Sequence, residues 1–174
     1  MPTAKQTRKL SLMKRFAEVE KISISGITER MGPLGLQLYA EMYLAAAKAL
    51  PTPQVPFEPV RPYLVCHAIE LGLKAFLSLK GREMVKLAEG QFGHKLSAIL
   101  IEAESVGLLD AVALSTAHRE AITSAETYYA GKVFEYPAVG EALSAYPSMP
   151  PLKTLFEAAE LLTSSLAQPC RAAK

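Results

Sequence analysis

The chain has 174 residues, 50% of them hydrophobic and 21% charged, with a net charge of +2. That is one domain's worth of a packed globular chain, and it excludes disorder throughout and low-complexity architectures. Two distant cysteines, Cys66 and Cys170, make neither a disulfide framework nor a zinc pair. They read as a small buried residue and a tail thiol.

Charge is unevenly placed. Residues 1–21 carry six basic and two acidic side chains, so a +4 arm precedes a −2 body. Leu10, Met13, Phe16 or Ala17, and Glu20 follow helical spacing. The arm is therefore expected to form a basic amphipathic helix that either contacts an anionic partner or packs on its own body. No apolar h-region marks a secretory signal, and the most apolar segment carries His67, Glu70 and Lys74, so a cytoplasmic protein without membrane partners is expected.

Gly32-Pro33 opens the next helix, with Leu34, Leu38, Met42, Ala45 and Ala49 in a wide stripe ended by Pro51. Five prolines between 51 and 62 impose an extended connection. Tyr63 to Lys80 reads as a third helix, apolar on most sides and hence central, stopped by Gly81. Glu70 and Lys74 stand at i,i+4 in the favourable acid-first order. A fourth helix is expected from His94 to Val106, a fifth behind Asp110 as cap, and a last one from Pro151 to Leu166. Lys132 to Tyr136 is the one stretch with a strand-like pattern, and a short turn is expected at Glu141–Ala145. The fold class is all-α: an up-and-down four-helix bundle with an extra N-terminal helix and a Pro-rich connection. Its parts are the arm at 1–30, the bundle at 31–168 and a tail at 169–174.

The inventory excludes several chemistries. GxxxxGK[ST], GxGxxG and GxSxG are absent, as are HxH, HxxxH and HExxH. One aspartate, Asp110, leaves little for an oxygen-rich cation site. No metal and no cofactor are expected. A buried Glu70 needs partners, and Lys74 and His94 are the expected ones, as a register-fixing network or as a nucleotide or phosphate site. Tyr128, Tyr129, Phe134 and Tyr136 beside Lys132 are aromatic groups fit either to stack RNA bases or to pack a core or dimer interface.

His67-Ala-Ile-Glu-Leu-Gly-Leu-Lys-Ala-Phe-Leu77, followed by Gly93-His-Lys-Leu96, Glu102-Ala-Glu-Ser-Val-Gly-Leu108 and Tyr129-Ala-Gly-Lys-Val-Phe-Glu-Tyr-Pro137, resembles the HEPN superfamily over about residues 33 to 137. The resemblance implies a four-helix bundle, commonly dimeric, acting as a metal-independent ribonuclease, as the toxin partner of a nucleotidyltransferase-like antitoxin, or as a non-catalytic module for RNA or protein. The catalytic branch carries R-x(4–6)-H near the start of the last core helix. That motif is missing from the C-terminal half here. The one such string, Arg61-Pro-Tyr-Leu-Val-Cys-His67, opens the third helix instead, leaving Arg61 and His67 as the candidate catalytic pair. Glu70, Lys74, His94, Lys132 and Tyr136 are the candidate binding residues. The expected function is an HEPN-like homodimeric module binding RNA or a partner protein, with a toxin-type endoribonuclease as the alternative.

Overall fold

The computed structural model describes residues 31–54, 58–83, 87, 92–136, 140 and 146–173. The expected N-terminal helix and the turn at 141–145 lie outside the described residues. Six helices and no strand occur among those described: α1 (Pro33–Ala49), α2 (Val60–Leu79), α3 (Leu96–Ser105), α4 (Leu108–Ala111), α5 (Thr116–Tyr129) and α6 (Leu152–Ala172). The chain is all-α, as its periodicity predicts.

Helix α2 is the centre. It packs against α1, α3, α5 and α6. Val65, Cys66, Ala68, Ile69, Leu73, Ala75 and Leu77 are fully buried, so the helix has an apolar surface on most sides because it has neighbours on most sides. By length and composition it is also apolar enough to cross a bilayer, but 67% of that window is buried inside the fold. The α2–α6 approach is close: a Cβ at Gly72 would lie 3.2 Å from Leu162 Cβ. Across α1 and α6, the buried Gln37 donates from Nε2 to the Thr163 carbonyl at 2.6 Å.

Helix ends explain where the structure departs from the sequence reading. α2 begins at Val60, three residues before the expected Tyr63. Pro62 sits in the first turn, where no backbone N–H is needed, and Glu58 Oε1 accepts from Arg61 N at 2.9 Å. α3 starts at Leu96 rather than His94. Its exposed N–H groups are met by α5: Glu126 Oε2 accepts from Ser97 N at 2.6 Å and also from Ser97 Oγ, a carboxylate at a helix N-terminus. Asp110 does not cap α5; it lies in the single-turn α4, and Ser115 caps instead through a reciprocal box with His118. Lys132 to Tyr136 is a turn rather than a strand, with Lys132 at φ 56°. α6 continues through Pro169 to Ala172, so 169–172 is helical. Cys170 is fully buried there rather than a tail thiol, and burial pushes its thiol up to about 11.

Gly72→Val is expected to force α2 from α6 and cost about 1–3 kcal/mol, the usual range for overpacking, read as a lower urea midpoint at unchanged slope.

Candidate functional site

The site forms around one buried carboxylate. Glu70 lies on the core side of α2 with its side chain only 3% exposed. A lone buried charge is costly, and four side chains answer it. Lys74, one turn on, places Nζ 2.5 Å from Glu70 Oε1 and 2.8 Å from the Gly93 carbonyl. Tyr129, the last residue of α5, places its hydroxyl 2.5 Å from Oε2. His94, just before α3, brings Nδ1 to 2.9 Å from the same oxygen. His67, one turn back on α2, sits 3.7 Å from that oxygen but makes its hydrogen bond, at 2.6 Å, with the Tyr129 hydroxyl.

The proton positions follow. Tyr129 has one proton for two close partners. Glu70 is ionised and only accepts, so the phenol donates to Glu70 and receives from His67, which makes His67 Nδ1 the protonated nitrogen. His94 Nδ1 likewise donates to Glu70. Both imidazoles are thus held through Nδ1, leaving Nε2 as the remaining polar atom of each. The His67 ring is fixed further by Tyr63, stacked at 5.9 Å with a 7° interplanar angle, and by Tyr43 edge-on at 4.4 Å. Tyr129 also meets His94 edge-on at 5.6 Å.

Electrostatics agree with this assignment. Burial alone would raise the Glu70 carboxyl, but the imidazoles of His67 and His94 and the Lys74 ammonium hold it well below the usual carboxylate range. Burial first, then the Glu70 charge, raises the Tyr129 phenol far above its ordinary value and keeps it a donor. The hydrogen bond to Glu70 raises His94 against the opposing pull of desolvation and of the Lys74 and Lys132 charges. The buried Cys66 thiol is pushed up to about 12, by burial first and then by Glu70.

Of the sequence-derived candidates, the structure therefore joins His67, Glu70, Lys74 and His94. It does not join Arg61 to them. The Arg61 guanidinium donates to the carbonyls of Ala47 at 3.2 Å, Leu50 at 2.8 Å and Pro51 at 2.8 Å, closing the C-terminal end of α1. Lys132 is exposed in the turn after α5, with its charge acting on His94. Tyr136 is exposed and outside the cluster. The sequence reading treats Tyr129 as a stacking or packing residue and misses it as the hub's second donor. No local spacing reveals a bond across 59 residues; its place at the apolar end of α5 is the only signal. Tyr128 does pack as core, with Phe134 and Tyr146.

No group of three or more His, Cys, Asp or Glu fit to hold a metal occurs among the described residues. Two open grooves, of about 380 Å³ between α3 and α5 and about 440 Å³ between His118 and α6, include no residue of the cluster. No family model, curated protein or solved structure matches the chain.

Tyr129→Phe is expected to leave His67 Nδ1–H without its acceptor and Glu70 without one donor, costing about 1–3 kcal/mol in urea unfolding. Glu70→Gln strands the Lys74 ammonium and is expected to cost more, about 3–5 kcal/mol.

The pH dependence has a definite sign. His94 is raised in the fold from 6.5, so its contribution is whole below pH 6.5 and is lost as pH rises through the folded value. Denaturant titrations at stepped pH are expected to show stability falling over that window, with the slope reduced in His94→Gln. Glu70 acts oppositely: its contribution is present above its unfolded value, near 4.5, and is lost only in stronger acid.

Proposed function

We propose that the chain is an HEPN-like homodimeric helical module, an up-and-down four-helix bundle in plan, that binds the phosphate backbone of RNA at His94 and Lys132 without cleaving it. One observation carries the reading: Lys74 cancels the charge of Glu70, so a protonated His94 gives the cluster a net positive charge. Its side chain is 56% exposed, and the Lys132 charge acts on it. An anion is the ligand that such a pair attracts, through charge-assisted hydrogen bonds and counterion release. The shared string from His67 to Leu77 and the Gly93-His-Lys-Leu96 string, both contributing to this cluster, support the HEPN likeness.

The alternative is a metal-independent endoribonuclease of a toxin–antitoxin pair, with His67 as general base. What favours it is His67 itself, held in one tautomer by Tyr129. What weighs against it is Arg61, whose donors are engaged by three backbone carbonyls.

Fluorescence anisotropy with a single-stranded RNA tests the proposal. Binding is expected to weaken with salt and with rising pH, and about tenfold or more in His94→Gln/Lys132→Ala, as loss of two charge-assisted contacts implies. Equal affinity of that variant and the native chain overturns it. Cleavage of the RNA in EDTA, abolished by His67→Ala, selects the alternative. Under the binding reading Arg61→Ala lowers stability and leaves RNA affinity unchanged.

A further inference from the structure

Helix α1 is apolar on both sides. Its inner face buries Leu36, Ala40, Leu44 and Ala47. Its outer face exposes Leu34, Leu38, Tyr39, Met42, Ala45 and Ala46, with Tyr39 47% and Met42 65% exposed. The spacing puts these on one stripe. Lys48 is the one charged residue of α1 that stands exposed, in the last turn, where it pairs with Glu160 at 2.7 Å. Gln37, the partly buried Glu41 and Lys48 hold one flank of the helix, and the stripe beside them is unbroken apolar surface of the kind that marks a docking face.

Three features of the molecule select the cover. The first is size: a 17-residue helix is about 25 Å long and about 10 Å across, so its outer face offers a few hundred Å2, roughly what one helix covers and well short of the ~800 Å2 per partner of a stable complex. The second is the direction of the chain. Met31, the first described residue, is partly buried against the core, and its side chain also reaches over Gly35 so closely that a Cβ there would lie 2.9 Å from Met31 Cγ. The chain therefore enters α1 beside the N-terminal end of the exposed stripe. The third is pattern: residues 1–30 precede that point, and Leu10, Met13, Phe16 and Ala17 recur at helical spacing among basic residues.

We propose that the outer face of α1 is the docking surface for residues 1–30 of the same chain, which lie back along it through Leu10, Met13 and Phe16 and keep their cations outward. Attachment at Met31 makes the contact intramolecular, so a modest face suffices at the high effective concentration of a short tether. This inference is independent of the RNA reading.

The test uses the full chain with a nitroxide on Ala49→Cys, at the exposed C-terminal end of the face. Cys66 and Cys170 are buried, which leaves the new thiol as the labelling site. The amide resonances of residues 5–17 are expected to broaden in a dilute, ¹⁵N-labelled, spin-labelled chain. Leu10→Glu/Met13→Glu is expected to abolish that broadening while the resonances of α2 keep their positions. Broadening that arises only when spin-labelled ¹⁴N chains are mixed with unlabelled ¹⁵N chains overturns the proposal in favour of a second copy. Absence of broadening at residues 5–17 in the native background overturns it outright.

Discussion

The ionised carboxylate of Glu70, placed inside an otherwise apolar helix, is the constraint on which much else depends. Burying it without partners would cost more than one domain's stability can spare. Its partners come from three places: α2 itself through Lys74, the segment before α3 through His94, and the end of α5 through Tyr129. Each bond is directional, so together they fix how α3 and α5 meet α2. Leucine packing alone tolerates many such arrangements. Glu126 repeats the device one layer out, tying the end of α5 to the first turn of α3.

The same arrangement sets the chemistry. Because Tyr129 stands between His67 and Glu70, the carboxylate orders His67 through a phenol and His94 directly. His67 is thereby mostly buried, its side chain 18% exposed, while His94 stands half in solvent. Two histidines on one carboxylate are thus inequivalent. The exposed one bonds Glu70 directly, and that bond raises it; the enclosed one is ringed by Tyr43, Tyr63 and Tyr129.

Much of this is legible in the sequence, for a physical reason. Helical period and turn spacing are local, so five of the six described helices, all but the single-turn α4, and the i,i+4 pairing of Glu70 with Lys74 follow from neighbouring residues. The Glu70–His94 bond is legible one step further, because a buried acid demands a donor and His94 is the polar residue that opens the next segment. Helix starts are less legible. α3 and α5 begin where side chains accept their first N–H groups, and for α3 that acceptor, Glu126, comes from 29 residues away. Tyr129 is least legible: its sequence position says core, and only the packing of α5 on α2 turns its hydroxyl onto Glu70.

Arg61 shows how a string can mislead. Arg61-Pro-Tyr-Leu-Val-Cys-His67 has the spacing of a catalytic pair, but six residues along a helix turn the second side chain about 240° from the first. The structure uses both ends of the string, separately. At one end the guanidinium fork gathers the last carbonyls of α1 with the Pro51 carbonyl just beyond; at the other the imidazole locks onto Tyr129. The two helix ends meet here: α1 ends at Ala49 and α2 starts at Val60, and Arg61 in the first turn of α2 closes the end of α1. The charge of Arg61 serves that corner, and among the described residues His67 works with the cluster around Glu70 instead.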